Sequence, residues 1–149
     1  MTFLIRPAEL QDLPSILEIE QQSALAAHWT AEQYKTVLNN SIMLVAEQAG
    51  KLCGFLCATA IADECEIENM AVIPDFQRRG IADELLRALV QRVESTPTPA
   101  SAILLEVRES NRPARRLYEK HSFREEGRRR AYYNHPVDDA ILYGVRFGR

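Results

Sequence analysis

The sequence predicts an α/β fold built on a mixed, mostly antiparallel sheet that is flanked by helices. Three apolar runs joined by tight turns, at 41–48, 52–62 and 64–72, indicate an antiparallel meander. A glycine turn and an amphipathic helix separate the third run from another apolar run at 101–107, so these two strands are expected to lie parallel. A chain of 149 residues is long enough for one sizeable core, and we expect one domain over residues 1–149.

Composition and charge narrow the function classes. No apolar run approaches the roughly 18 to 20 residues that span a membrane, and the first residues lack a signal-peptide pattern, so we expect a cytoplasmic protein without a membrane partner. Three cysteines without C-x-x-C spacing and three scattered histidines indicate neither a disulfide framework nor a metal site. Residues 76–149 carry fifteen bases and ten acids, but the net charge of −3 argues against a nucleic-acid partner.

The first forty residues are expected to hold one short strand, over 2–6, and two helices. Asp12 is the predicted N-cap of the first helix. Thr30 and Gln33 match a capping box at the start of the second. Trp29, just before that cap, either packs as a hydrophobic staple or forms part of a substrate wall. The inward faces of the two helices would carry Leu13, Ile16, Leu17, Ile19, Tyr34, Val37 and Leu38.

The third strand of the meander carries three carboxylates. Side chains alternate along a strand, so Glu64, Glu66 and Glu68 fall on one face and Asn69 falls on the other. A carboxylate on this face is a candidate general base. The alternative interpretation is a solvated sheet face.

A strand end, a basic loop and a helix start follow the meander. The apolar run ends at Val72, and Gln77, Arg78, Arg79 and Gly80 precede the helix. The first amides of a helix lack intrahelical partners and carry roughly +0.5 of a charge, which suits a phosphate. The alternative is an ordinary helix start with solvated arginines. The apolar face of this helix would carry Ile81, Leu85, Ala88, Leu89 and Val93.

A second set of polar residues lies after the strand at 101–107. Glu106 is the one charged residue in an aliphatic strand, Asn111 opens the next helix, and Tyr118 lies within that helix. All three should reach the carboxyl edge of the parallel strands, where open α/β sheets bind ligands. Glu106 and Tyr118 are therefore either a proton acceptor and donor, or a carboxylate paired with an arginine such as Arg108 and a packed ring. Residues 123–147 complete the domain as an antiparallel pair.

These motifs resemble the GCN5-related N-acetyltransferase (GNAT) superfamily. Residues 77–82, Q-R-R-G-I-A, are similar to its pyrophosphate loop, Q/R-x-x-G-x-G/A. The combination of L-E-V-R-E-S-N at 105–111 with L-Y-E-K at 117–120 is narrower, and it resembles the RimI branch, the ribosomal-protein alanine N-acetyltransferases. The similarity covers nearly the whole chain and is densest from Glu68 onward. Ser122 stands where the family usually has glycine, at an expected left-handed helix end.

The resemblance implies a parallel strand pair that splays around acetyl-CoA, with no metal. Glu106 would be the general base, and Tyr118 would be the general acid that protonates the departing thiolate. Tyr132 and Tyr133 would border the peptide site, with buried packing as the alternative. The implied coenzyme contacts are the backbones of Met70, Ala71 and Val72, the amides of Gln77, Arg78, Arg79, Gly80, Ile81, Ala82 and Asp83, and Asn111.

The resemblance also implies direct acetyl transfer to the N-terminal α-amine of a protein, most narrowly the N-terminal alanine of a small-subunit ribosomal protein, by a monomer or a weak homodimer. An α-amine has a pKa of about 7.7 to 8.0 and lysine one of about 10.4, so deprotonation at pH 7 costs roughly 1 kcal/mol for the first and 4 to 5 for the second. A single carboxylate suffices for the α-amine. The other hypotheses are acetylation of a small-molecule amine, and a non-catalytic module that binds acetyl-CoA.

Overall fold

A seven-stranded sheet organises the chain. The computed structural model describes residues 3–23 and 29–148, and Thr2 and the predicted domain bounds, residues 1 and 149, lie outside them. The strands are β1 Leu4–Pro7, β2 Ile42–Gln48, β3 Lys51–Ile61, β4 Glu64–Val72, β5 Ala102–Arg108, β6 Arg124–Tyr133 and β7 Asp138–Arg146, and the helices are α1 Leu13–Gln21, α2 Ala31–Asn40, α3 Ile81–Glu94 and α4 Arg112–Lys120. The strand order is β1-β2-β3-β4-β5-β7-β6, and only β4 and β5 pair in parallel among the described strands. The predicted mixed α/β fold is confirmed.

Helices cover both faces of the sheet. The ring of Phe55 on β3 packs edge-on against Tyr34 of α2, with 5.9 Å between centroids. Its neighbour Gly54 lies against Ile81, the first residue of α3. Since successive side chains of a strand point to opposite faces, α2 and α3 lie on opposite sides. Residues 53–58 of β3 are consecutively buried as a result, and the core lies on both faces of the central strands.

Local chemistry sets the start of α2 as predicted. The Thr30 hydroxyl accepts a hydrogen bond from the Gln33 amide at 3.2 Å, and the Gln33 side chain accepts one from the Thr30 amide at 2.8 Å. Trp29 packs on Tyr34, the fourth residue of the helix, with 5.2 Å between ring centroids. This is the contact of a hydrophobic staple, the first of the two interpretations of Trp29.

Asp12 occupies the predicted N-cap position of α1, but its side chain makes no cap hydrogen bond. Its carboxylate accepts from the Arg6 guanidinium at 2.8 and 3.0 Å and from the Glu9 amide at 2.7 Å instead. The Arg6 hydrogen bonds are the main cause of the lowered pKa of Asp12. A tertiary ion pair and a short 3₁₀ turn at Leu10–Asp12 have redirected a side chain that the local pattern assigned to capping.

The turns follow the predicted chemistry. Ala49 and Gly50 join β2 to β3 with φ values of 52° and 80°, the left-handed pair of a two-residue hairpin turn. Ser122, after α4, has a φ of 71°, which confirms the left-handed helix end where the family usually has glycine. None of the described helices is long and apolar enough to cross a bilayer.

Candidate active site

The two parallel strands part at their carboxyl ends. β4 and β5 pair only from Glu64 with Ala102 to Ile67 with Leu105, although β4 continues to Val72 and β5 to Arg108. On its other side β4 stays paired with β3, but Ile67 faces Ala58 and Asn69 faces Cys57, which leaves Glu68 as an extra residue. Such a bulge bends the strand that carries it. The predicted splay therefore begins at Glu68.

The bulge also changes which side chains share a face. The Thr59 hydroxyl donates to Glu68 at 2.7 Å, and the Asn69 amide donates to the Tyr34 hydroxyl at 3.0 Å. Because Thr59 pairs with Glu66 and Tyr34 belongs to α2, all of these groups lie on the face that α1 and α2 cover. The prediction that Asn69 lies on the opposite face from the glutamates is wrong, because one extra residue resets the alternation.

The edge of β4 that faces the gap offers one backbone acceptor and one donor. The Ile73 amide donates to the Cys53 carbonyl on β3. Backbone N–H and C=O groups alternate in direction along a strand, so those of Ala71 also point toward β3 and those of Met70 and Val72 point toward the gap. The Met70 amide donates to the Asn69 side chain at 3.0 Å, and the Val72 carbonyl accepts from the Gln77 side chain at 3.1 Å. The Met70 carbonyl and the Val72 amide remain as the groups of this edge that a bound chain can pair with.

The basic loop leads into α3 through two residues with left-handed backbone. Arg78 has a φ of 66° and Gly80, the N-cap of α3, has a φ of 84°. Glycine has no side chain that could accept hydrogen bonds from the amides of the first turn, which belong to Ile81, Ala82 and Asp83. The Arg79 guanidinium lies 5.2 Å from the centroid of the Phe76 ring. Residues 77–83 therefore form one loop and helix start whose first-turn amides are not capped by a side chain, and the predicted pyrophosphate contacts stay predictions.

Gly54 belongs to the site and was missed by sequence reasoning. A Cβ on Gly54 would lie 3.2 Å from the Ala71 carbonyl oxygen and from side-chain carbons of Val72 and Ile81. This absence of a side chain lets the first turn of α3 sit directly on the end of β4. The available signal was a glycine inside an apolar strand, which indicates close approach of another backbone.

Asp83 and Asn111 connect the loop to α4. The Asp83 carboxylate receives Lys120 at 2.9 Å and His121 at 2.8 Å. Burial raises the pKa of Asp83, but the hydrogen bonds from these two side chains outweigh it and hold the pKa below its usual value. The Asn111 side-chain oxygen accepts from the Ala114 amide at 3.3 Å and caps α4. The coenzyme contacts predicted for both residues stay predictions.

Glu106 is paired with an arginine, as one of its two interpretations has it, and that arginine is Arg129. Its carboxylate receives the Arg129 Nε at 3.1 Å, whereas Arg108 donates to the Pro136 carbonyl and stacks on Tyr133. Glu66 pairs across the sheet with Leu104, so Glu66 and Glu106 share a face. Burial raises the pKa of Glu66, and the nearby charges of Glu68 and Glu106 raise it further. Three carboxylates thus gather where the gap begins.

Tyr118 lies on the other face of β5. Its ring is 6% exposed and packs on Phe123 and Tyr143, with centroid distances of 5.6 and 6.3 Å. Tyr143 pairs with Leu105, the neighbour of Glu106, so α4 covers the face opposite the carboxylates. Burial raises the pKa of Tyr118, so its phenol keeps its proton at neutral pH. Glu106 and the buried Tyr118 ring therefore lie on opposite faces of β5.

The two predicted aromatic substrate residues differ in exposure. Tyr132 is 52% exposed, while Tyr133 is half-buried under Arg108, whose guanidinium lies 4.4 Å from its ring centroid. Their rings meet edge-on at 5.1 Å. Their substrate roles, like that of Trp29, stay predictions. No group of histidine, cysteine, aspartate and glutamate side chains within residues 3–23 and 29–148 is arranged to hold a metal ion.

The model of the acetyltransferase (GNAT) family matches residues 8–123, which include the bulge, the basic loop, Glu106 and Tyr118. The chain belongs to this family. It is an acyltransferase that uses acetyl-CoA as donor. The family membership confirms the resemblance carried by the loop at 77–82 and the motifs after Leu105.

Curated relatives of this acetyltransferase match over nearly their whole length. The [ribosomal protein bS18]-alanine N-acetyltransferase of Escherichia coli strain K12 is 35% identical over 144 residues, 95% of either chain. The enzyme of the same name from Salmonella typhimurium strain LT2 is 37% identical over 142 residues, 90% of either chain.

Solved structures share the fold of this acetyltransferase. The crystal structure of the ribosomal-protein-S18-alanine N-acetyltransferase from Escherichia coli has a TM-score of 0.88 at 31% identity, over 99% of this chain and 96% of that one. Arabidopsis thaliana NAA60 in complex with acetyl-CoA also has a TM-score of 0.88, at 22% identity and over 98% of this chain and 100% of that one. The second likeness concerns the fold alone.

Proposed function

We propose that this enzyme acetylates the N-terminal α-amine of a protein, and that the acceptor is the N-terminal alanine of a small-subunit ribosomal protein. The parted β4 and β5 strands, with Glu106 on one face and Tyr118 on the other, carry the proposal. The identity to enzymes named for bS18 alanine acetylation supports the choice of acceptor. This acceptor places the enzyme in the cytoplasm. A monomer or a weak homodimer suffices, because every proposed group comes from one chain.

The coenzyme is proposed to run along the open edge of β4. The Met70 carbonyl and the Val72 amide are the gap-facing groups that can pair with the amides of the pantetheine arm. The first-turn amides of α3, with Arg78 and Arg79, supply the donors and charge that a pyrophosphate needs. Because the ladder directs the Ala71 backbone toward β3, the geometry favours Met70 and Val72 as partners.

The two proton transfers of the reaction are proposed to fall to two residues, Glu106 and Tyr118, which lie on opposite faces of β5. Glu106 accepts a proton from the acceptor amine, directly or through water, as the amine nitrogen forms its bond to the acetyl carbonyl carbon. The bond from that carbon to sulfur then breaks, and Tyr118 donates its proton to the departing thiolate. Because burial raises the pKa of Tyr118, its phenol still carries the proton when the thiolate leaves. An α-amine needs only the modest base that a carboxylate provides.

The test uses the full chain, acetyl-CoA and a peptide that carries the N-terminal sequence of ribosomal protein bS18. The variant Glu106→Gln should lower kcat about 10²- to 10⁴-fold, the usual contribution of a general base, and leave acetyl-CoA binding within twofold by calorimetry. Tyr118→Phe should slow thiol release. As a control, Glu94→Gln, at the exposed end of α3, should behave as wild type. Full turnover by Glu106→Gln would refute the proposed base.

A small-molecule amine is the second candidate acceptor, because Glu66, Glu68 and Glu106 together would attract a polycation. The peptide and spermidine should be supplied together at equal concentration. Preferential acetylation of spermidine would replace the peptide proposal, and coenzyme binding with no turnover on either would indicate a non-catalytic module.

A further inference from the structure

Arg129 reaches the carboxylates from the edge strand of the sheet. Its Nε lies 3.1 Å from Oε1 of Glu106, and its guanidinium lies 5.7 Å from the centroid of the Tyr132 ring. Glu106 is the more buried partner, with a side chain 24% exposed against 55% for Arg129. The ion pair therefore joins an exposed strand to the carboxylate at the mouth of the gap.

The groups around Glu106 come from several strands. β4 contributes the carboxylates of Glu66 and Glu68, β6 contributes Arg129 and the Tyr133 phenol, and β7 contributes the apolar Leu142, which pairs with Glu106. Farther along the same face, Glu64 is paired with Arg146. Arg129 lowers the pKa of Glu66, against the raising effects of burial and of the neighbouring carboxylates. The cluster thus sets three carboxylates against Arg129, with Arg108 stacked on Tyr133 beside them.

We propose that Arg129 is a positioning residue that orients the Glu106 carboxylate at the gap and offsets the charges of Glu66 and Glu68. The inference rests on the proposed function, since it is there that Glu106 acts as the proton acceptor. A guanidinium donates in a fixed plane and stacks on an aromatic ring, so its contact with Tyr132 restricts the direction in which Glu106 is held. Without Arg129, Glu106 loses the donor that fixes its direction, and repulsion from Glu66 and Glu68 turns its carboxylate away from the gap.

The kinetic test compares Arg129→Gln with Arg130→Gln, which removes the same charge from the next, exposed residue of β6. Arg129→Gln should lower kcat/KM for the bS18 peptide about tenfold near pH 6.5 and move the acid limb of the pH profile to higher pH. Its KM for acetyl-CoA should stay within twofold of wild type. Arg129→Lys should recover part of the loss, and Arg130→Gln should match wild type.

A second readout does not depend on turnover. The carboxyl carbon of Glu66, followed by NMR in the wild type and in Arg129→Gln, should titrate at a higher pH in the variant, because a nearby cation has been removed. An acid limb and a Glu66 titration that both match wild type would overturn the role of Arg129. Loss of activity in Glu106→Gln alongside that result would leave the proposed function standing, whereas full activity in Glu106→Gln would refute the function itself.

Discussion

Replacing Tyr34 with phenylalanine tests the buried polar network that ties α1 and α2 to the bulge of β4. Glu20 of α1 is 2% exposed, and its carboxylate receives the Tyr34 hydroxyl and the Trp29 amide. The Tyr34 hydroxyl in turn accepts from the Asn69 side chain, whose oxygen receives the Met70 amide at the gap. One hydroxyl therefore connects the two helices to the strand edge proposed to hold the coenzyme.

The expected loss follows from the two hydrogen bonds that the substitution removes. A bond to a buried charged group contributes about 1.5 to 3 kcal/mol, and a neutral bond contributes about 1 kcal/mol. Tyr34→Phe should therefore lower the free energy of unfolding by about 2.5 to 4 kcal/mol. In a chain of this length each kcal/mol corresponds to roughly 2 to 4 °C of Tm, so the expected decrease in Tm is roughly 5 to 15 °C.

Urea unfolding and thermal melting measure this loss. Tyr132→Phe is the matched control, because Tyr132 is half exposed, and it should stay within about 0.5 kcal/mol of wild type. The double variant Glu20→Gln, Tyr34→Phe should lose less free energy of unfolding than the two single variants lose together, because the buried charge is then removed along with its hydrogen-bond partner. A loss below about 1 kcal/mol in Tyr34→Phe, or additive losses in the double variant, would refute the network as described.

Three further predictions concern the loop and its support. Gly80→Ala should lower the free energy of unfolding by about 1 kcal/mol and raise the KM for acetyl-CoA several-fold, because a side chain strains the left-handed φ of 84°. An unchanged KM would show that the backbone at Gly80 does not contribute to coenzyme binding. Gly54→Val should lower stability by about 1 to 3 kcal/mol through overpacking against α3 and β4, and an unchanged Tm would contradict the close contact. Asp83→Asn should destabilise the fold at neutral pH, because the carboxylate loses its pairing with Lys120 and His121. The pKa of Asp83 is lowered in the folded chain, so its contribution is complete above the unfolded value near 3.8 and disappears as the pH falls through the lower folded value. The difference in Tm between the two proteins should therefore vanish at acid pH, and a constant difference would contradict the assignment.

Sequence reasoning succeeded where the deciding contacts are local. The capping box of Thr30 and Gln33 and the packing of Trp29 on Tyr34 span only a few residues, so their geometry follows once the helix forms. The left-handed helix end expected at Ser122 is found for the same reason.

Sequence reasoning missed partners that lie on another element. The carboxylate of Asp12, at the N-cap of α1, binds Arg6 of β1 and not the helix amides, and the arginine that binds Glu106 is Arg129 of β6 and not Arg108. Asn69 changed face because β4 carries one more residue than its partner strand at Glu68, a mismatch that appears only when two strands are aligned. Strand register and bulges depend on pairing between strands, which side-chain alternation within one strand does not reveal.

The amino-acid pattern alone determined the kinds of element, their order, the parallel placement of β4 and β5, and the helix start suited to a phosphate, because each depends on periodicity or on neighbours along the chain. Tertiary structure alone decided where the two strands separate, that Glu106 and the Tyr118 ring lie on opposite faces of β5, and which arginine holds the carboxylate. Those features depend on how strands align and which side chains meet across the sheet.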